Sequence, residues 1–314
     1  MIIKTIILER IHKEGIKIFK SFSDVLEFYD RTKEEIYSKM RDYHIVIVKS
    51  TVKVEKKFLD HSVNLKVIAR AGAGLDNIDL HEVKKRNVKI FSVQKAHSKA
   101  SAEYTITLIF LLIKKIFKTR EMIEKNDFSR HKINLEQLSS MTVGIIGMGN
   151  LVIDISKRLK NFGCKLISFD PYSRYKKKFS SLGGKVYLNL DSLLKKSDII
   201  IMAAALNSLS ENLINKKNIN NIKKGSYLIN CARARLIDQD ALIEALDKKI
   251  INSVAIDIVD PEPIYKKKKQ DLHPIIIHPR VFYSPHIAAL TDDAQKKIGI
   301  SLGKRVKRYM LMNS

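Results

Sequence analysis

The chain has 314 residues, two cysteines and a formal charge of +25. That length exceeds one typical domain, so two domains with sizeable cores are expected. The cysteines, Cys164 and Cys231, exclude a disulfide framework and fit a reducing compartment. The longest apolar run, residues 106–113, is too short to cross a bilayer. The N-terminal Met-Ile-Ile-Lys-Thr-Ile-Ile-Leu-Glu resembles a first strand without a cleavage site, so a cytoplasmic protein is expected. The lysines are spread along the chain beside abundant Ile and Asn, and only residues 176–178 and 266–269 are dense. Without aromatic-basic interleaving or a recognition-helix pattern, neither nucleic acid nor membrane is expected as a partner. The charge reads as a solvated surface, with some part left for an anionic substrate.

Strand-like runs at residues 2–8, 45–48, 67–69 and 88–91, with helical segments such as 33–41 between them, make residues 1–97 a first α/β unit. Residues 98–125 read as one long helical segment with apolar Ala102, Ile106, Leu108, Ile109, Leu112, Ile113, Ile116 and Phe117. Such a helix suits a connector between domains or a subunit interface, and a homodimer is expected from it. Later strands at 186–188, 199–204, 227–230, 254–258 and 281–284 alternate with helices such as 193–196 and 241–247. That alternation argues a doubly wound parallel sheet. Residues 265–270 read as a lysine-rich surface loop, and residues 291–312 as a final helix with apolar Ile298, Ile300, Leu302 and Val306.

Residues 142–170 organise the rest. An apolar run (Val143, Ile145, Ile146) suits a buried strand, and Gly147 and Gly149 a tight turn. Ile153, Ile155 and Leu159 give a helix-period face, Gly163 ends the helix, and residues 165–169 form a second strand closed by Asp170. Strand, glycine turn, helix, strand and terminal acid within about 30 residues form a dinucleotide-binding βαβ unit. The turn and the helix N-terminus can receive a pyrophosphate, and Asp170 can accept from a ribose diol. A carboxylate there repels a 2′-phosphate, which favours NAD over NADP; Arg174 and the lysines after it soften that preference. The third glycine of the fingerprint is Val152, whose isopropyl group threatens to overpack helix against strand at a cost of ~1–3 kcal/mol.

Several motifs in one order then carry a resemblance. They are residues 64–79 (with Arg70-Ala71-Gly72-Ala73-Gly74-Leu75-Asp76-Asn77-Ile78-Asp79), residues 144–170, Asn230-Cys231-Ala232-Arg233, residues 257–263, and Ser284-Pro285-His286-Ile287. In these the chain resembles the D-isomer-specific 2-hydroxyacid dehydrogenases, over residues 49–291. The resemblance implies two Rossmann-like doubly wound parallel-sheet domains with a cleft between them that closes to exclude water. The substrate domain would be residues 1–97 completed by 288–314, and the NAD-binding domain residues 98–287.

It also implies a triad. Arg233, at a strand end, would grip the substrate carboxylate and 2-oxygen. His286 would be the general base toward the C2 hydroxyl, and Glu262 would fix its tautomer and favour the imidazolium. Singly, an Arg at a strand end reads as a surface ion pair, a Glu before Pro as a loop residue, and a His after Pro as a cap; their joint order argues for catalysis. Cofactor positions implied are Gly147, Gly149, Asn150, Leu151, Asp170, Cys231, Ala232, Arg233, Asp257, His286 and Ala289. Cys231 reads as a lining residue, with no activating base beside it, and Cys164 as strand packing.

Substrate positions implied are Ala71, Gly72 and Ala73 through backbone N–H groups, with Arg233 and His286. Lys49, Arg70 and Lys53 are candidates for a phosphate, Lys49 standing where the family has arginine and losing its bidentate geometry. No metal is expected. Other departures are Ala203-Ala204-Ala205 in place of His-x-Pro, Ser92-Val93-Gln94 in place of Asn-Thr-Pro, His97 in place of Asn, and Ala234-Arg235 after Arg233. Within the family the chain looks most like the branch that oxidises 3-phospho-D-glycerate to 3-phosphooxypyruvate in serine synthesis. The alternatives are a glyoxylate or hydroxypyruvate reductase and a cofactor-sensing, non-catalytic relative. The chain ends soon after its last helix, so a regulatory extension and feedback by serine are not expected.

Overall fold

The computed structural model describes residues 2–262 and 269–313. Pro263 and most of the expected surface loop 265–270 lie outside the described residues. The chain divides into two compact units, Met1–His97 with Leu290–Ser314 and Ser98–Ala289. Each is an α/β unit with its own all-parallel sheet. The return to the first unit, at Leu290, lies slightly beyond the expected residue 288.

The first unit runs β1 (Lys4–Ile7), α1 (Lys13–Lys20), β2 (Asp24–Glu27), α2 (Lys33–Met40), β3 (Ile45–Val48), α3 (Lys56–Asp60), β4 (Val67–Arg70), α4 (Leu80–Lys85) and β5 (Lys89–Ser92). Its strand order is β2-β1-β3-β4-β5. β3 and β4 are buried at every position, as continuous apolar strands are when helices cover both faces. β2 was not legible beforehand: Asp-Val-Leu-Glu is short, charged at both ends, and pairs with β1 alone as an edge.

The second unit begins with α5 (Ser98–Ile113) and α6 (Ile116–Glu124), not the single helix expected over 98–125. The chain breaks at Lys115, which takes a left-handed φ of 49°. The apolar stripe that buries α5 stops at Ile113, and two lysines follow that no core can take. Lys114 instead sends its Nζ to the Glu136 carbonyl at 2.7 Å.

The sheet then follows as β6 (Thr142–Ile146), α7 (Asn150–Leu159), β7 (Lys165–Phe169), α8 (Lys176–Ser180), β8 (Lys185–Tyr187), α9 (Leu190–Lys196), β9 (Ile199–Met202), β10 (Ser226–Asn230), α10 (Gln239–Asp247), β11 (Ile251–Ile256), α11 (Pro274–Ile277) and β12 (Val281–Tyr283). The strand order is β12-β11-β10-β9-β6-β7-β8, so the winding reverses between β6 and β9. Ligands of open parallel sheets bind beyond the strands' carboxyl ends at such a reversal.

Val152 is fully buried in one apolar cluster with Ala102, Val143, Ile145 and Ile155, and α7 is regular through it. The closing helix α12 (Asp292–Met312) is capped by Thr291 and buries Ile298, Leu302 and Val306 in the first unit's core. It crosses α1 where Gly15 meets Gly299: a Cβ on Gly15 would stand 2.7 Å from the Gly299 Cα, so no side chain fits there. Among the described residues no helix is long and apolar enough to cross a membrane.

Candidate active site

The glycine turn joins β6 to α7 beside that reversal. Gly147 has φ +103°, and a Cβ there would lie 2.5 Å from the Ala204 nitrogen, so only glycine makes this turn. Gly149 has nothing within 4 Å of an added Cβ, so its face is open. As N-cap it carries no side chain to cap α7. The N–H groups of Asn150, Leu151 and Val152 therefore have no acceptor among the described residues. Open space before a row of unused donors at a positive helix end is what a diphosphate requires. Asp170, just past β7, accepts from the Tyr172 N–H at 3.0 Å through one oxygen.

Two residues that sequence reasoning passed over close this region. Ser173 donates to the Met148 carbonyl at 2.6 Å, and the Tyr175 hydroxyl to Asn150 Oδ1 at 3.1 Å, folding the loop after Asp170 back onto the turn. Arg174 lies over the Tyr175 ring, and Lys176 donates to the Pro171 carbonyl at 2.9 Å. Neither cation faces Asp170 through an ion pair in these contacts.

The second part of the site is built on β10, β11 and β12. Asn230, buried at the end of β10, accepts from the Ala232 N–H at 3.0 Å and donates to the Arg233 carbonyl at 2.9 Å. This shapes the turn that carries Cys231, Ala232 and Arg233, and the Arg233 guanidinium donates to the Ala232 carbonyl at 2.7 Å. Asp257, fully buried after β11, accepts from Ser284 Oγ at 2.5 Å, the Ile287 N–H at 2.9 Å and the Ala288 N–H at 2.8 Å. Its carboxylate is thus spent on the loop of residues 284–288, a part that sequence reasoning had not given it.

His286, on that loop, has φ +56°, a left-handed conformation held by its N–H bonding to the Asp257 and Ser284 carbonyls at 2.8 and 2.9 Å. Its Nδ1 then lies 3.0 Å from Glu262 Oε1 and 3.3 Å from Oε2. A carboxylate only accepts, so this contact assigns the proton to Nδ1 and leaves Nε2 as the basic atom. Both side chains are about one-third exposed, so Nε2 can meet a ligand. Arg233, Glu262 and His286 thus belong to one compact unit, on three adjacent strand ends.

Beneath them, Tyr104 and Thr105 of α5 approach Ser284 and Cys231. Burial pushes the Cys231 thiol well above the ordinary range, and the Asp257 carboxylate pushes it the same way.

The first unit holds the remaining positions. The loop after β3 is clamped from both sides. Glu9 accepts from the N–H groups of Lys49 (2.6 Å), Thr51 (3.1 Å) and Val52 (3.2 Å) and from the Thr51 hydroxyl. Asn77 donates to the Lys49 and Val52 carbonyls at 3.1 and 2.7 Å, and Asp79 caps α4. Desolvation lowers the Lys49 ammonium below the usual lysine range; Glu9 opposes this and Arg70 adds to it. Lys53 is exposed.

The glycine loop offers fewer donors than expected. The Ala71 N–H is taken by the Val48 carbonyl and the Gly72 N–H by the Arg70 carbonyl, at 2.8 and 2.9 Å. Of the residues expected to bind substrate there, Ala73 keeps a backbone N–H without an acceptor among the described residues, as does Gly74 beside it.

Residues 106–288 match the family model described as D-isomer specific 2-hydroxyacid dehydrogenase, NAD binding domain. The chain belongs to the D-isomer-specific 2-hydroxyacid dehydrogenases. The matched domain is the family's NAD-binding domain, and the open, donor-rich turn at Gly147 and Gly149 fits that cofactor. The chain is 30% identical over 308 residues to a D-3-phosphoglycerate dehydrogenase of Methanocaldococcus jannaschii, covering 98% of this chain and 57% of that one. It is 30% identical over 274 residues to a hydroxypyruvate reductase of Thermotoga maritima, covering 87% of each. The chain spans about half the length of the phosphoglycerate dehydrogenases it matches first. A solved D-lactate dehydrogenase of Aquifex aeolicus, complexed with NAD and lactic acid, has the same fold at a TM-score of 0.88 and 24% identity, covering 98% of this chain and 95% of that one.

The raised Cys231 thiol gives a direct check, since less thiolate at a given pH means slower alkylation. Peptide mass spectrometry after iodoacetamide treatment at pH 8 is expected to find Cys231 modified more slowly in the native protein than once it is denatured. Labelling of the native protein at the rate of a free thiol would contradict the raised thiol.

Proposed function

We propose that the chain oxidises a 2-hydroxy acid at C2 with NAD, and that the acid is 3-phospho-D-glycerate, giving 3-phosphooxypyruvate. The observation that carries the reaction type is the contact between His286 Nδ1 and Glu262, which turns the other ring nitrogen, Nε2, to the acid–base role, with both side chains about one-third exposed. Arg233 orients the acid through its carboxylate and 2-oxygen. His286 Nε2 takes the hydroxyl proton as the C2–H bond gives up its electron pair and C2=O forms. Glu262 stabilises the imidazolium that results. NAD, when bound, supplies the acceptor for the hydride. In the reverse direction His286 returns the proton.

Lys49 and Arg70 support the phosphorylated acid, since they share one neighbourhood in the first unit and each feels the other's charge. A second reading, reduction of glyoxylate or hydroxypyruvate, is favoured by a specific observation. Glu9 already fills the N–H groups of Lys49, Thr51 and Val52 that a substrate phosphate would otherwise use. It also sets a negative charge beside Lys49. The serine-synthesis assignment stands or falls with the first reading.

A homodimer is the assembly we propose. No residue of α6 is buried, and Ile116, Phe117 and Ile123 are about half exposed along it; a second copy would cover such a face. Sedimentation velocity at micromolar protein is expected to give a dimer, and a monomer at every concentration would oppose it.

Turnover is tested by NADH formation at alkaline pH with 3-phosphoglycerate, D-glycerate, glycolate and D-lactate, and by NADH consumption with glyoxylate and hydroxypyruvate. The first reading expects kcat/KM for 3-phosphoglycerate to exceed that for D-glycerate by more than about tenfold, the worth of one well-placed charged hydrogen bond. Equal values with brisk reduction of hydroxypyruvate select the second. His286→Gln is expected to lower kcat by on the order of 10²–10⁴ while the thermal shift given by NAD persists. NAD binding without turnover of any of these acids would leave a cofactor sensor.

A further inference from the structure

We propose that Gln239 is a positioning residue for Glu262, and through it for His286; this rests on the assignment of those two as the acid–base pair. Glu262 sits where its own segment loses support. Asp257, Ile258 and Val259 are buried after β11, but Asp260 and Pro261 are exposed. The segment there borders an open hollow of about 340 Å³ whose lining is mostly polar, with Glu211, Arg235, Gln239 and His273 among it.

What holds it is a side-chain amide. Gln239 Nε2 donates to the Asp260 carbonyl at 2.8 Å, and the Asp260 N–H donates to Gln239 Oε1 at 3.2 Å. One primary amide thus pairs with both backbone groups of a single residue, as a neighbouring strand would, and fixes the plane of the chain two residues before Glu262. Only an amide side chain offers a donor and an acceptor side by side in this way. Arg235 adds a longer contact, its Nε 3.8 Å from Asp260 Oδ2, while its other arm pairs with Glu211. That exposed ion pair contributes little.

Gln239 is itself rigidly placed. It is the first residue of α10, whose N-cap Asp238 accepts from the Ala241 N–H at 3.0 Å. Leu236 and Ile237 just before it are buried, and Ile237 bridges to Ile214. The same short stretch begins at Arg233. Gln239 therefore ties the segment that bears the guanidinium to the segment that bears the carboxylate, and keeps Glu262 within 3.0 Å of His286. Among the described residues Asp257 and, on β12, Tyr283 also lie near this pair; burial and Glu262 push the Tyr283 phenol upward.

The test compares Gln239→Leu, Gln239→Glu and Glu262→Gln with the wild type in the full chain. The His286 imidazole pKa is read by NMR, which needs no turnover, and kcat and KM are read with the preferred acid. Gln239→Leu is expected to shift the His286 pKa downward in the direction of Glu262→Gln and to lower kcat on the order of tenfold, with KM changed less than about twofold. Gln239→Glu keeps the acceptor for the Asp260 N–H but not the donor, and is expected to fall between. A His286 pKa and kcat at wild-type values in Gln239→Leu, while Glu262→Gln moves both, would overturn the inference and leave the acid–base pair standing. Silence from Glu262→Gln itself would instead sink the pair, and the inference with it. Circular dichroism matched to the wild type separates either result from misfolding.

Discussion

The Asp257 carboxylate is the constraint on which the candidate site of the second unit depends. It is fully buried and accepts from one hydroxyl and two backbone N–H groups of the loop that follows β12. A buried carboxylate left without such donors would be strongly destabilising, so the loop cannot leave it cheaply. Those bonds wrap residues 284–288 around the carboxylate. The wrapping holds His286 in a left-handed conformation that an unconstrained histidine seldom adopts, and it turns the imidazole to Glu262. The His286–Glu262 contact is thus set by a residue outside the pair itself.

The same economy recurs at the other strand ends. Asn230 shapes the Arg233 turn with its side-chain amide, Gln239 holds the Glu262 segment with another, and Asn77 does so for the Lys49 loop. Each substitutes a side chain for backbone partners at a place where the sheet has ended and backbone groups would otherwise lack acceptors or donors. In the first unit Glu9 plays the acidic counterpart, filling the N–H groups of a loop flanked by cations. That pairing shapes the loop and subtracts from its positive charge.

Much of this architecture was legible in the sequence. Apolar runs such as Ile45–Val48 and Lys165–Phe169 coincide with strands residue for residue, because a parallel sheet covered on both faces demands continuous apolar segments. The glycine turn and Asp170 were readable because their chemistry is local. What escaped was what depends on tertiary partners. β2 has no apolar signature of its own, and the break at Lys115 lies inside an otherwise continuous helical pattern. The roles of Glu9, Asn77, Asn230 and Gln239 are set by groups that are often distant in the chain. Val152 looked like a clash from the fingerprint alone, yet it is fully buried in a cluster that includes the small Ala102. The N–H groups of Ala71 and Gly72 looked available and are taken by Val48 and Arg70, a matter of backbone geometry that composition cannot reveal.

The most direct test is turnover by Asp257→Asn, which keeps the volume of the side chain but places an amide N–H among the loop's donors. The account predicts a folded protein that NAD still stabilises and whose kcat falls on the order of a hundredfold or more, as misplacement of the histidine would require. Turnover within twofold of the wild type would show that the loop and its histidine hold their place without the buried charge, and would contradict the account.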